Sequence, residues 1–189
     1  FDLEFWNDSV LVSGLNDTDF STPSGIYILD TSGINNHRKI IETGGYSAGI
    51  AVDGRGNLYY ATSLPEGSNG LYRFDSAMVA AVVEDPGATA MGLSDAQKLA
   101  DLPMGAYDCE VDMGFNVVFT MNAWAGTEVL ARWNGTPGDG FNYDTIAVST
   151  QSLGMVKSRG VYTLPYIGNS LFTQAYGQPV ADIHTTDYP

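Results

Sequence analysis

The side chains of this sequence best suited to chemistry are carboxylates. Glu4, Asp108 and Glu110 are hard oxygen donors of the kind that hold calcium or magnesium, and each falls on the first strand of a repeated unit. Polar and aromatic groups at matching positions, Ser47, Asn122 and Arg159 with Tyr107 and Trp124, could bind a ligand beside them. Taken singly, each also has the plainer reading of a solvated or hydrogen-bonded residue at a strand end.

Other catalytic schemes find no support. The chain has no G-x-S-x-G elbow, no H-E-x-x-H, no phosphate-loop spelling and no histidine beside a serine or cysteine. A single cysteine, Cys109, excludes an internal disulfide and a Cys-rich zinc site, and its apolar neighbours in alternation mark it as a buried small hydrophobe. His37 and His184 lie too far apart to form a local metal motif. Asp53, Asp112, Asn57, Asn116 and Asn169 recur at one turn, which suggests a repeated cation site, but Asp and Asn also close tight turns and tolerate positive φ, and that explanation is the stronger. Asn7-Asp8-Ser9, Asn16-Asp17-Thr18 and Asn134-Gly135-Thr136 have the spelling of N-glycan acceptors, which matters only in a secretory source.

The elements that must position these groups are short strands. Gly49 to Thr62, GIAVDGRGNLYYAT, reads as two strands, Ile50–Val52 and Leu58–Tyr60, joined by a hairpin turn from Asp53 to Asn57. Weaker copies occur at 1–13, at Tyr107–Met121 and at Gly160–Gln174, and Gly70–Asp75 repeats the Gly-x-Tyr-x-x-Asp spelling of Gly25–Asp30. Tyr59, Tyr60, Phe119 and Phe172 recur on the second strand, where they fill the space between units. One helical pattern interrupts the strands, Ser76–Glu84, capped by Asp75 or Ser76 and stopped by Asp85-Pro86-Gly87. Ser94 to Gln97 has capping-box spacing, but Lys98–Leu102 stands where its unit needs a fourth strand, and a strand is the preferred reading.

Asp8, Asn57, Asn116 and Asn169 align at spacings of roughly 50 residues, and four short strands per such unit is the range of propeller blades. The fold expected is all-β, a β-propeller of four-stranded antiparallel blades with about three and a half present. Blade 1 covers 1–45, blade 2 46–105 with a helical insertion at 76–94, blade 3 106–150, and a partial blade 4 158–189. Such a chain does not close by itself. A longer protein with a ring of six to eight blades, pairing with a second copy, or a four-bladed closure through Val180–Thr185 are the ways to finish it, in that order.

GIAVDGRGNLYYAT resembles the repeat of NHL-type and related β-propellers, whose innermost hairpin carries a G-x-A-x-D-x-x-G-N-x-Y-like pattern. The resemblance is good at Gly49–Thr62, fair at Tyr107–Met121 and poor at the two outer copies. It implies a ligand site at the ends of a central channel. The gluconolactonase-like (SMP-30-like) members of the wider group hold a divalent metal with a Glu, two Asn and an Asp. Where an Asn commonly precedes the Gly opening the innermost strand, this sequence has Ala48, then Tyr107 or Asp108, and Arg159, so that ligand set is not reproduced.

Composition sets the remaining bounds. With 44% hydrophobic and 12% aromatic residues in 189, the chain can bury a sizeable core. A net charge of −14 repels phosphate backbones and anionic headgroups, so nucleic acid is not the expected partner. No apolar run is long enough for a spanning helix. The chain opens at Phe1 instead of a methionine, the expectation for a trimmed or fragmentary chain, and a secreted or periplasmic location fits it. The functional expectation is a non-catalytic propeller module that presents a rigid face to a protein, glycan or small ligand, with calcium or another divalent cation as the one cofactor to consider. The alternative is a divalent-metal-dependent sugar-lactone hydrolase.

Overall fold

The computed structural model describes residues 2–14, 24–29, 37–44, 49–62, 69–112, 114–122, 128–149, 158–163, 170–175 and 183–187. For Tyr107, Asn122, Glu128, Ala147, Ser149 and the three described stretches from 158 onward, only the backbone and its pairing are described.

The described chain is mostly β and forms four sheets. The first holds β1 (Asp2–Trp6), β2 (Ser9–Gly14), β3 (Gly25–Leu29) and β4 (His37–Glu42), paired antiparallel in chain order. The second holds β5 (Ile50–Val52), β6 (Leu58–Ala61), β7 (Gly70–Phe74) and, after an insertion, β9 (Gln97–Asp101). The third is a meander of β10 (Gly105–Val111), β11 (Val117–Asn122), β12 (Glu128–Trp133) and β13 (Tyr143–Ser149). The fourth pairs β14 (Ser158–Thr163), β15 (Ser170–Ala175) and β16 (Ile183–Asp187). The strand expected at 98–102 is present as β9, preceded by a single 3-10 turn at Leu93–Asp95. The late strand near 180–185 is β16, and it pairs with β15 as the third strand of its own sheet.

The insertion contains α1 (Ser76–Glu84), where the sequence places a helix. Its N-cap, Asp75, makes no side-chain cap bond; the Ser76 N–H instead donates to Asn57 Oδ1 at 3.1 Å. No basic residue occupies its last turn, but Arg38 of β4 donates to the carbonyls of Val82 and Val83 at 2.9 and 3.1 Å. A cation from another sheet thus satisfies the carbonyl end of the helix. After the helix, β8 (Met91–Gly92) pairs parallel with Ile41 and Glu42 on the outer edge of β4. This covers an edge that would otherwise present unpaired backbone groups.

Two cores follow from the alternation. Trp6, Leu11, Ile50, Tyr60 and Phe74 meet Val79 of α1 and Met91 between the first two sheets. Tyr59, Leu71, Leu99, Cys109, Phe119 and Met121 fill the space between the second and third. Full burial of each large side chain stabilises by about 1.5–3 kcal/mol. The recurring aromatics of the second strands that are described, Tyr59, Tyr60 and Phe119, are all buried, as is Cys109, whose thiol burial pushes well above its ordinary range.

The repeated turn is closed by its aspartate. Asp53 Oδ1 accepts from the N–H groups of Arg55 and Asn57, while Oδ2 accepts from Asn57 Nδ2 and the Tyr59 hydroxyl. Asp112 repeats this with Gly114 and Asn116. Burial opposes ionisation of Asp53, but the Asn57, Arg55 and Tyr59 donors outweigh it and hold the carboxyl below its usual value. These oxygens are occupied by the turn itself, in keeping with the turn reading of the repeated Asp and Asn. Asn169 lies outside the described residues.

Candidate functional site

Strands β1 and β10 both lie against β5, and the carboxylates of β1 and β10 approach one another there. Asp2, at the head of β1, accepts from the N–H of Ile50 on β5 and of Leu3, each at 2.8 Å, and the side chain of Asp108 on β10 lies beside it. The Asp2 N–H donates to Ser13 Oγ at 3.1 Å, fixing the strand end.

Close approach is what permits this. A Cβ on Gly49 would overlap the backbone of Asp108 and Cys109, so glycine is required for the start of β5 to touch β10. A bulge at Tyr107 then changes the phase of β10. Ala106 pairs with Met121, but Asp108 pairs with Thr120 and Glu110 with Val118. Ala106, Cys109 and Val111 therefore face the second sheet, and Asp108 and Glu110 turn to the other side.

Crowding raises the proton affinity of the cluster. Burial, then the charge of Asp2, lifts Glu4 to about 7. Burial, then the charges of Glu4, Asp108 and Asp2, lifts Glu110 to about 8. Burial also raises Asp2, against the opposing pull of the Ile50 and Leu3 N–H groups. Near neutral pH the cluster holds protons and can both donate and accept hydrogen bonds.

Of the residues singled out in the sequence, Glu4, Asp108 and Glu110 come together here. Tyr107, Asn122 and Arg159 lie on β10, β11 and β14, with their side chains outside the description; Ser47 and Trp124 lie outside the described residues. Asp2 was missed, although its spacing of two from Glu4 puts both on one side of β1. Among the described residues, no three His, Cys, Asp or Glu side chains are arranged to hold a metal ion. Asp2 accepts from two backbone N–H groups, and burial with mutual charge raises Glu4 and Glu110. No helix among the described residues is long and apolar enough to cross a membrane.

A separate cleft of about 590 Å³ lies at the turn ends of β1 and β5 beside α1, lined by Phe5, Asn7, Arg55, Ala77 and Glu84 among others.

No protein-family model matches the chain, and no curated protein matches it. Solved structures do. A luciferin-regenerating enzyme matches with a TM-score of 0.52 over 92% of this chain and 52% of its own, at 11% identity. A candidate gluconolactonase matches with a TM-score of 0.52 over 99% of this chain and 60% of its own, also at 11% identity. The chain spans little more than half the length of these structures. Likeness at such identity speaks to architecture alone, and the architecture it supports is the β-propeller.

Proposed function

We propose that this chain forms part of a β-propeller ring of six to eight blades and binds a hydroxylated or cationic ligand on its channel wall, without catalysis. The observation that carries the binding reading is the Asp2 carboxyl, which accepts from Ile50 of β5 beside Asp108 of β10, with Glu4 and Glu110 close enough to feel one another's charge. Neutral carboxyls pair with sugar hydroxyls, and a cation would draw their protons off.

Ring completion is supported by the free face of the first sheet. Leu3 and Phe5 alternate with the inward Asp2, Glu4 and Trp6 and are 52% and 67% exposed. Apolar side chains so placed suit a neighbouring blade, supplied by further sequence or by a second copy. An extracytoplasmic setting accords with the acidic surface and remains part of the proposal.

A second reading, a metal-dependent sugar-lactone hydrolase, is favoured by the fold shared with a candidate gluconolactonase. In the sequence, Ala48 weighs against it, standing where the metal-binding members commonly carry an Asn. One experiment separates the two. Calorimetric titration with calcium, manganese, a polyamine and neutral sugars, in buffers of different ionisation enthalpy, is expected to show binding by a polyamine or a sugar that is weakened in Glu110→Gln, with proton release for the cation. Divalent-ion binding coupled to lactone hydrolysis, both lost in Asp108→Ala, would replace the binding reading with the hydrolase.

A further inference from the structure

The sequence contains two Asn-Gly pairs, Asn69-Gly70 and Asn134-Gly135, and the fold treats them in opposite ways. In an Asn-Gly pair the glycine nitrogen can attack the asparagine side-chain carbon, because no side chain on the glycine hinders the approach. Whether it does depends on access, on the orientation of the amide and on whether that nitrogen is engaged elsewhere.

Asn134 and Gly135 sit in the exposed connection between β12 and β13. Asn134 Oδ1 accepts from the Thr136 N–H at 2.9 Å, an Asx turn that folds the side-chain amide back over the Gly135 peptide. That bond also polarises the amide C=O toward attack. Gly135 has φ +87°, and beyond its chain neighbours no atom lies within 4 Å of the position a Cβ would take, which leaves room for water. The ends of the connection are held by the Asn134 N–H donating to the Asn142 carbonyl at 3.1 Å.

Asn69 is 7% exposed, and the Gly70 N–H donates to Thr62 Oγ1 at 2.7 Å as β7 begins. Its nitrogen is engaged and its amide is closed to water. Asp53-Gly54 shares the Asx geometry, since the Arg55 N–H donates to Asp53 Oδ1, but Asp53 is buried and held ionised, and a carboxylate is a poor electrophile. At Asp139-Gly140 the glycine nitrogen donates to Asp101 Oδ2.

We propose that Asn134-Gly135 is a site of spontaneous, fold-selected deamidation. Gly135 N loses its proton and bonds to Asn134 Cγ; the Cγ–Nδ2 bond breaks and Nδ2 leaves as ammonia, giving a succinimide. Water then opens that ring at either carbonyl, leaving aspartate or isoaspartate at 134 with no oxidant or cofactor consumed. The product adds a negative charge to the same connection that carries Asp139, whose carboxylate pairs with Lys98 of β9 at 3.1 Å. It also alters the turn that lets Trp133 Nε1 reach the Thr136 carbonyl at 3.3 Å.

The test is peptide-resolved mass spectrometry of the intact chain after incubation in neutral and mildly alkaline buffer, folded and in concentrated urea. In the folded protein, the peptide containing Asn134 is expected to gain roughly 1 Da and split into aspartyl and isoaspartyl forms, faster as pH rises, while the Asn69 peptide stays unchanged. In urea both pairs should convert. Asn134→Gln should abolish the gain in its peptide, with melting temperature confirming a native fold. An unmodified Asn134 in the folded protein, or conversion of both pairs at similar rates there, would overturn the proposal.

Discussion

The Trp6 indole N–H donates to the Gly56 carbonyl over 2.9 Å, joining the end of β1 to the repeated turn of the second sheet. Trp6 is 5% exposed, and Gly56 has φ +84°, so the bond ties a buried ring to a backbone conformation that glycine alone adopts without strain. Trp6→Phe keeps most of the apolar contact but leaves that carbonyl without its donor. It should cost about 1–3 kcal/mol, read as a lower urea midpoint at unchanged slope. Trp6→Ala should cost about 3–5 kcal/mol.

Stability should fall as pH rises through neutrality. Glu4 and Glu110, raised to about 7 and about 8, hold protons more tightly folded than unfolded, where a glutamate titrates near about 4.3. Their contribution is complete below that unfolded value and is lost as pH climbs through 7 and 8. Asp53 and Asp101, both held below the ordinary value, act in the opposite sense and lose their contribution only in stronger acid. A maximum between about pH 4 and 6 is therefore expected in melting temperature against pH. Glu110→Gln should flatten the alkaline side and, after discounting for solvent, raise stability at pH 8 by about 1 kcal/mol, or about 2–4 °C.

Gly49→Ala should report on the same cluster from the backbone. The added methyl has no room against Asp108 and Cys109, so β5 and β10 must part. A cost of about 1–3 kcal/mol is expected, together with weaker pH dependence as Asp2 and Asp108 separate. Calorimetry at pH 5 and pH 8 checks both; full pH dependence in a destabilised variant would show that the clash is relieved elsewhere.

The turns of the second and third sheets offer a double-mutant cycle. Phe115 has φ +63°, where the preceding copy has Gly56, and the Arg55 guanidinium lies 4.4 Å from its ring centroid. Phe115→Gly removes about 1–2 kcal/mol of backbone strain and forfeits about 0.5–1 kcal/mol of ring–cation attraction. Arg55→Ala should thus destabilise the parent and leave Phe115→Gly nearly unaffected, a difference that urea titration of the four proteins resolves.

What could be read from the sequence was whatever repeats locally. Ile50–Val52 and Leu58–Tyr60 announce themselves by alternation, Asp53 and Asn57 by turn chemistry, and Ser76–Glu84 by its apolar spacing and its stop at Pro86. What could not be read depends on partners far along the chain. The two-residue strand Met91–Gly92 has no pattern of its own and exists because Ile41 and Glu42 offer an edge. Arg38 gives no sign of its part in ending a helix more than forty residues away. Glu4, Asp108 and Glu110 could be named from their place in the repeats, but not Asp2, whose role rests on a bond to Ile50 that only the packing of sheets creates.

The pairing of Met91 with Ile41 also bears on the order of assembly. The first sheet cannot complete its outer edge until Gly92 has been synthesised, and α1, which Arg38 holds, arrives in the same interval. The first two sheets are thus expected to fold as a single cooperative unit in place of two successive ones, with the long loop closure setting a slow rate. Truncation after Glu42 should yield an aggregating fragment, whereas one ending past Asp101 retains every strand of both sheets.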